Sequence, residues 1–333
     1  MNHYLRACGA CPGTAAANSV ASRPPQGRSA RRRSSRNLIL TAALLCGLAS
    51  ADGAHAQQNA MPDFHPLVSI QHEDYLRARS HFHTKLLRLE PAPQSFELMS
   101  PPAGVSEVTY SSSLGLRAWL SRPADGKRHP AVLFLHGGSA FEMSDWDMTK
   151  PYRDAGFVVL TPRLRGENGQ AGSYSMYYDE VDDVLAAARY LRHAADVDPR
   201  RIFVAGHNVG GTMTLLATLS SNIFRAAASL SGSPDQMLYV KLAPGAKERA
   251  PFNYNDEREL VMRSPLAFAA YVKCPLRIYY GSDEPQFEFT SAGMAKIARE
   301  HGRDVRVIVE QGNHNTHLAR SIPDSIKFFE SFH

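Results

Sequence analysis

At 333 residues, 44% hydrophobic and 21% charged, the chain has the size of one large α/β domain or two small ones. Its formal charge of +5 is concentrated in the first 56 residues, which hold seven arginines and one acid. By subtraction, the remainder carries 30 basic and 31 acidic side chains. A folded part with no basic excess excludes nucleic acid as the partner that explains the charge.

The basic leader has its own logic. "RRRSSR" (31–36) precedes the apolar run "NLILTAALLCGLASA" (37–51), and "AHA" (54–56) comes after it. A charged n-region, an apolar h-region and an A-x-A site in that order predict a signal peptide cleaved after Ala56, and export to the periplasm or medium. The apolar run is too short for a good membrane span. Cys46 lacks a small residue just before it, which argues against a lipid anchor, so no stable membrane anchor is expected. Cys8, Cys11 and Cys46 fall in the leader, leaving Cys274 alone in the mature chain, which can then form no internal disulfide. The "CGAC" spacing at 8–11 would be discarded with the leader.

Residues 57–70 read as a flexible lead-in. Residues 71–89, "QHEDYLRARSHFHTKLLRL", have the pattern of an amphipathic helix ended by "EPAPQ", so 57–104 is expected to be an extension with one helix. "HFH" (81–83) is a poor metal motif, because residues two apart on a helix do not share a face. From 105 to 333 a single α/β domain is expected. "SEVTYSS" and "LRAWLSRP" read as a hairpin. "AVLFLH" and "FVVLTP" are short apolar runs of the buried, parallel kind. "YYDEVDDVLAAARYLRHA" reads as a helix with acids early and bases late, as the helix dipole prefers. "RIFVAG", "AAASLSG", "LRIYYG" and "DVRVIVE" then alternate with helical or loop segments. That alternation predicts a mostly parallel sheet with helices on both faces. Residues 232–270, less regular, are expected to form a small cap or long loop over the sheet's C-terminal edge, where ligands bind in open α/β sheets.

Four motifs carry chemistry. "LFLHGGS" (133–139) ends a buried strand in glycines, letting bare N–H groups approach a developing oxyanion; each such donor is worth about 3–4 kcal/mol in the transition state. "VAGHNVGG" (204–211) has the glycines of a sharp strand-to-helix turn. "IYYGSDEP" (278–285) puts acids just past a strand end. "VEQGNHNTHLA" (309–319) puts histidines in the loop after the last strand. A fifth segment, "TPRLRGENGQAGSY" (161–174), is expected to line the pocket or brace the turn.

Residues 105–333 resemble the α/β-hydrolases, and most nearly the group of prolyl oligopeptidase and dienelactone hydrolase-like peptidases and esterases. The order of turn, acid and histidine matches that fold. The resemblance implies an oxyanion hole built from the amide of Gly138 or Ser139 and that of Val209. It implies Asp283 as the acid, with Glu284 in reserve, and His314 as the base, with His317 as runner-up. "TPRLRGENGQAGSY" resembles the Arg-Gly loop of the same group. The implied partner is a small ester or peptide. No cofactor and no metal is implied, and the oligomeric state is left open.

The nucleophile position holds Asn208. A serine works there because histidine takes its proton while the oxygen attacks; an amide has neither an acidic enough N–H nor a good nucleophile. Asparagine nonetheless tolerates the positive φ of such a turn and can hydrogen-bond His314. Three readings are open. The first is a hydrolase whose chemistry is lost or weak, which can still bind an ester- or peptide-like ligand. In the second, activity persists by another route: Ser139 as nucleophile, water activated by His314, or deamidation of Asn208 to aspartate. The third is a single-base lesion from serine.

Overall fold

Alternating apolar residues along the central strands divide the molecule into layers. In a computed structural model, residues 66–110 and 114–333 are described, all within one compact unit, 60–333. The leader and most of the lead-in lie outside the described residues. The sheet has eight strands: β1 (Ser106–Thr109), β2 (Arg117–Ser121), β3 (His129–Leu135), β4 (Val158–Pro162), β5 (Val197–His207), β6 (Ala226–Leu230), β7 (Leu276–Gly281) and β8 (Val305–Glu310). Their order is β1-β2-β4-β3-β5-β6-β7-β8. The hairpin β1–β2 joins β4 antiparallel, and every pairing from β4 onward is parallel.

The described helices are α1 (Tyr75–His81), α2 (Met143–Met148), α3 (Lys150–Asp154), α4 (Glu180–His193), α5 (Val209–Ser220), α6 (Gln236–Leu242), α7 (Ala246–Arg249), α8 (Glu257–Val261), α9 (Pro285–Glu300) and α10 (Leu318–Glu330), with a 3₁₀ turn at Pro265–Tyr271. Because strand side chains alternate faces, Leu133, Leu135, Val204 and Ile278 pack on one side with Val184 of α4, Leu216 of α5 and Met294 of α9. Val132, Phe134, Phe203 and Tyr279 pack on the other with Tyr152 of α3 and Ile322 and Phe329 of α10. Phe203 and Phe329 stack at 4.6 Å. The fold is that of an α/β-hydrolase, with helices on both faces of a mostly parallel sheet.

The amphipathic pattern at 71–89 is only partly helical. Asp74 caps α1 by accepting from the Leu76 amide, and the helix stops at His81, with Phe82 extended. Beyond it, tertiary hydrogen bonds hold the chain extended. Leu86 bridges Phe252, and the Leu87 amide donates to the Pro251 carbonyl. Glu259 accepts from the Lys85 amide and the Thr84 hydroxyl. Residues 84–94 thus run as an extended strap from the 232–270 segment, which forms α6, α7, α8 and the 3₁₀ turn between β6 and β7, toward the ends of β3 and β4.

Candidate active site

The polar residues of the site gather at the C-terminal ends of parallel strands. His136 comes directly after β3, His207 ends β5, Ser231 comes directly after β6, Glu284 lies three residues past β7, and His314 lies four past β8. The elbow turn exists because backbones nearly touch there. A Cβ on Gly210 would fall 2.0 Å from the Leu135 carbonyl oxygen, and one on Gly206 would fall 2.4 Å from the Gly210 carbonyl oxygen. Only glycine permits that approach of α5 to β3 and β5. Asn208 takes up the turn at φ 55°, ψ −115°, a conformation costly for residues with a Cβ. Its amide donates to the Leu230 carbonyl at 2.9 Å, tying the turn to β6.

The exposed Asn208 side chain and the half-buried His314 ring meet directly, with Asn208 Nδ2 2.8 Å from His314 Nε2. The Asn208 N–H donates, so Nε2 is an unprotonated acceptor and His314 carries its proton on Nδ1. That N–H donates to Glu284 Oε1 at 2.6 Å. A hydroxyl at position 208 would face the same unprotonated nitrogen that a general base needs.

The carboxylate on His314 belongs to Glu284, not to Asp283. Asp283 is exposed, and among the described residues its side chain accepts only from the neighbouring Ser282 hydroxyl. The chain turns back after Gly281, the Glu284 amide donating to the Gly281 carbonyl at 2.9 Å. The longer glutamate side chain then folds inward, where Oε2 accepts from the Gly281 amide at 2.8 Å and the Ser231 hydroxyl at 2.6 Å. Burial pushes the Glu284 pKa up, but the bonds from His314, Ser231 and Gly281 outweigh it and hold the group below the usual glutamate value.

His317 does not face Asn208. It is the fully buried residue before α10. With the Ser231 proton given to Glu284, His317 Nε2–H donates to Ser231 Oγ at 2.9 Å, and Nδ1 accepts from the Ser321 hydroxyl at 2.8 Å. Ser231 itself sits at φ 48°. This chain of Ser321, His317 and Ser231 behind Glu284 had no sequence signal beyond a serine after an apolar strand. The buried His207 donates Nε2–H to the His314 carbonyl at 3.0 Å, and its ring lies 4.5 Å from the His314 ring. Burial, then the neighbouring His314, pushes its pKa down to about 3, so it is a neutral brace.

At the oxyanion loop, Gly138 is at φ 68°. Among the described residues, the Gly138 amide and the Val209 amide at the start of α5 have no protein acceptor. The Ser139 amide is engaged: it donates to Gln94 Oε1 at 2.7 Å, and Ser139 is buried. Gln94 lies in the strap and was invisible as a site residue in the sequence. The Arg-Gly loop braces the glycine loop after β3, and its Leu164 and Glu167 line a small cavity with Val209 and Gly210 of the elbow. Glu167 Oε2 accepts from His136 Nε2 at 2.9 Å, and Asn168 bonds both the amide and the carbonyl of Phe141. Arg165 in turn grips Asp183 of α4 with two nitrogens, at 2.8 and 2.7 Å. Among the described residues, no three histidine, cysteine or acidic side chains group as metal ligands.

Residues 143–332 match the prolyl oligopeptidase family. The chain belongs to that family. It is 25% identical over 224 residues to the uncharacterized peptidase YuxL of Bacillus subtilis, a match covering 61% of this chain and 34% of YuxL. It is 29% identical over 191 residues to the uncharacterized peptidase YtmA of the same organism, covering 52% and 70%. The chain thus spans about a third of the length of the first of these. Among solved structures, a puromycin-hydrolyzing peptidase of Mycobacterium tuberculosis superposes with a TM-score of 0.61 at 22% identity, over 68% of this chain and 40% of that one. An esterase of Thermogutta terrifontis superposes with a TM-score of 0.55 at 17% identity, over 69% and 92%.

In this prolyl oligopeptidase family chain the glycine loop after β3 is anchored by a buried ion pair whose effect depends on pH. Burial alone would depress the His136 imidazole, but the Glu167 carboxylate, with Asp145 beyond, raises its pKa to about 9. His136 donates from both nitrogens, to Glu167 and to the Gly137 carbonyl. A pKa raised on folding adds stability that is fully present below the unfolded value of about 6.5 and is lost as pH rises through about 9. His136→Asn should therefore be destabilised relative to the natural protein at pH 6.5, and the gap should narrow by about 1–3 kcal/mol toward pH 9.5 in urea melts. A gap that does not change with pH would contradict this assignment.

Proposed function

We propose that this protein binds small peptide or ester substrates as a serine-type peptidase or esterase does, with its chemistry impaired at the nucleophile. The observation that carries this reading is the 2.8 Å contact of Asn208 Nδ2 with His314 Nε2, backed by Glu284. The base is oriented and in the tautomer that accepts a proton, but the group presented to it is an amide. Membership of the family and likeness to peptidases and an esterase support the substrate class.

The other routes to activity have less support. Ser139 is buried, and both His314 nitrogens are taken by Asn208 and Glu284. Activation of water by His314 would require Asn208 to yield its place on Nε2. The leader supports a further proposal, that the protein acts after export. The mature form would then begin at Gln57, which intact-mass measurement checks; a chain retaining Arg31–Arg36 in the soluble cell fraction would refute it.

The natural protein should not label with a fluorophosphonate probe. Asn208→Ser should gain labelling and should hydrolyse p-nitrophenyl esters about 10²-fold faster or more, a modest part of what loss of a nucleophile costs an intact site. Strong labelling of the natural protein, abolished by Ser139→Ala, would overturn the proposal. If neither form reacts, the ligand-binding reading without catalysis takes its place.

A further inference from the structure

The strap brings a side-chain amide to the oxyanion loop. Its path is fixed at several points. Arg88 Nη2 donates to the carbonyls of Glu248 and Ala250 at 2.6 and 2.9 Å. The Glu90 carbonyl accepts from the Tyr174 amide, and the Ala92 amide donates to the Gly166 carbonyl, both at 2.9 Å. Pro91 and Pro93 flank Ala92, stiffening the approach to Gln94. The Gln94 carboxamide is then read at both ends. Its oxygen accepts from the Ser139 amide at 2.7 Å, and its nitrogen donates to Glu142 Oε1 at 3.0 Å. A Cβ at Gly138 would lie 2.6 Å from that same oxygen, and one at Gly137 would lie 3.7 Å from the Asn208 Cβ. One two-glycine turn therefore touches the nucleophile position with one residue and the Gln94 amide with the next.

We propose that the Ser139 amide and the Glu142 carboxylate form a carboxamide-binding subsite beside position 208, occupied in the resting protein by Gln94 as an intramolecular plug. A backbone N–H and a carboxylate three residues apart complement an amide, which offers an acceptor and a donor together. An ester gives Glu142 no proton, and a carboxylate is repelled by it, so the pair selects amide ligands over both. The strap competes with such a ligand, lowering its apparent affinity by the fraction of molecules in which Gln94 is withdrawn. The subsite rests on the reading of this edge as the ligand site, but not on whether Asn208 supports turnover.

The test is a titration of the full mature chain, with Asn208 in place, by propionamide, methyl propionate and propionate, which differ only in the carboxamide, ester and carboxylate group. Binding is monitored by the ¹⁵N–¹H shift of the Ser139 amide. Gln94→Ala should bind the amide about tenfold more tightly than the natural protein, the factor expected if about a tenth of molecules are open at rest, and should prefer it to the ester. Gln94→Asn, whose carboxamide is drawn back by one methylene, should behave likewise if Gln94→Ala folds poorly. Adding Glu142→Ala should erase the preference for amide over ester. Equal amide affinity with and without Gln94, or equal gains for all three probes, would overturn the proposal. If Asn208→Ser fails to label while Gln94→Ala gains amide affinity, the hydrolase reading falls and the subsite stands; labelling without the gain reverses that outcome.

Discussion

The site depends on backbones brought to near contact at the start of α5. Gly210 lies so close to the end of β3 that a single methyl would overlap the Leu135 carbonyl, and Gly206 is nearly as tight against Gly210. That closeness forces the one-residue turn between β5 and α5, and the turn forces position 208 to positive φ. The same approach places Gly137 against the elbow, near His207 and Asn208. A side chain held there points at whatever the loop after β8 presents. The constraint acts on the backbone and leaves the chemistry of the residue open, which is how the turn accepts an asparagine, a residue more tolerant of positive φ than most.

Around that turn the polar groups are arranged so that each proton has one place to go. Ser321 donates to His317, His317 to Ser231, Ser231 to Glu284, and His314 also to Glu284. Buried groups of this kind are stabilising only when all are satisfied, and the chain leaves His314 in one tautomer and Glu284 charged. A second buried system, His136 with Glu167, holds the oxyanion loop to the Arg-Gly loop. The two systems lie at the ends of different strands. The asparagine at position 208 bonds His314 of the first and leaves the hydrogen bonds of both in place.

Much of this was legible in the sequence. Apolar runs gave the parallel strands, the glycines of "VAGHNVGG" gave the turn, and motif order gave the fold. The acid was ambiguous because Asp283 and Glu284 are adjacent, and the register of a turn after a strand is set by the fold of the loop, not by composition. Glu284 reaches His314 because the chain reverses at Gly281. The histidines at 314 and 317 are separated in the same way: α10 begins right after His317 and buries it. The helix expected at 71–89 ended at His81 because partners distant in sequence, Pro251, Phe252 and Glu259, took over the backbone and side chains beyond it. Gln94 carried no local signal at all, since its role comes from where those distant bonds lead the strap.

The imidazole ¹⁵N shifts of His314 at neutral pH report directly on whether an oriented base and acid surround the amide at position 208. A protonated Nδ1 hydrogen-bonded to Glu284 and an unprotonated Nε2 accepting from Asn208 are expected, with the Nδ1–H signal lost in Glu284→Gln and kept in Asp283→Asn. An Nε2–H tautomer, or a ring averaged over solvent-facing rotamers, would contradict that arrangement.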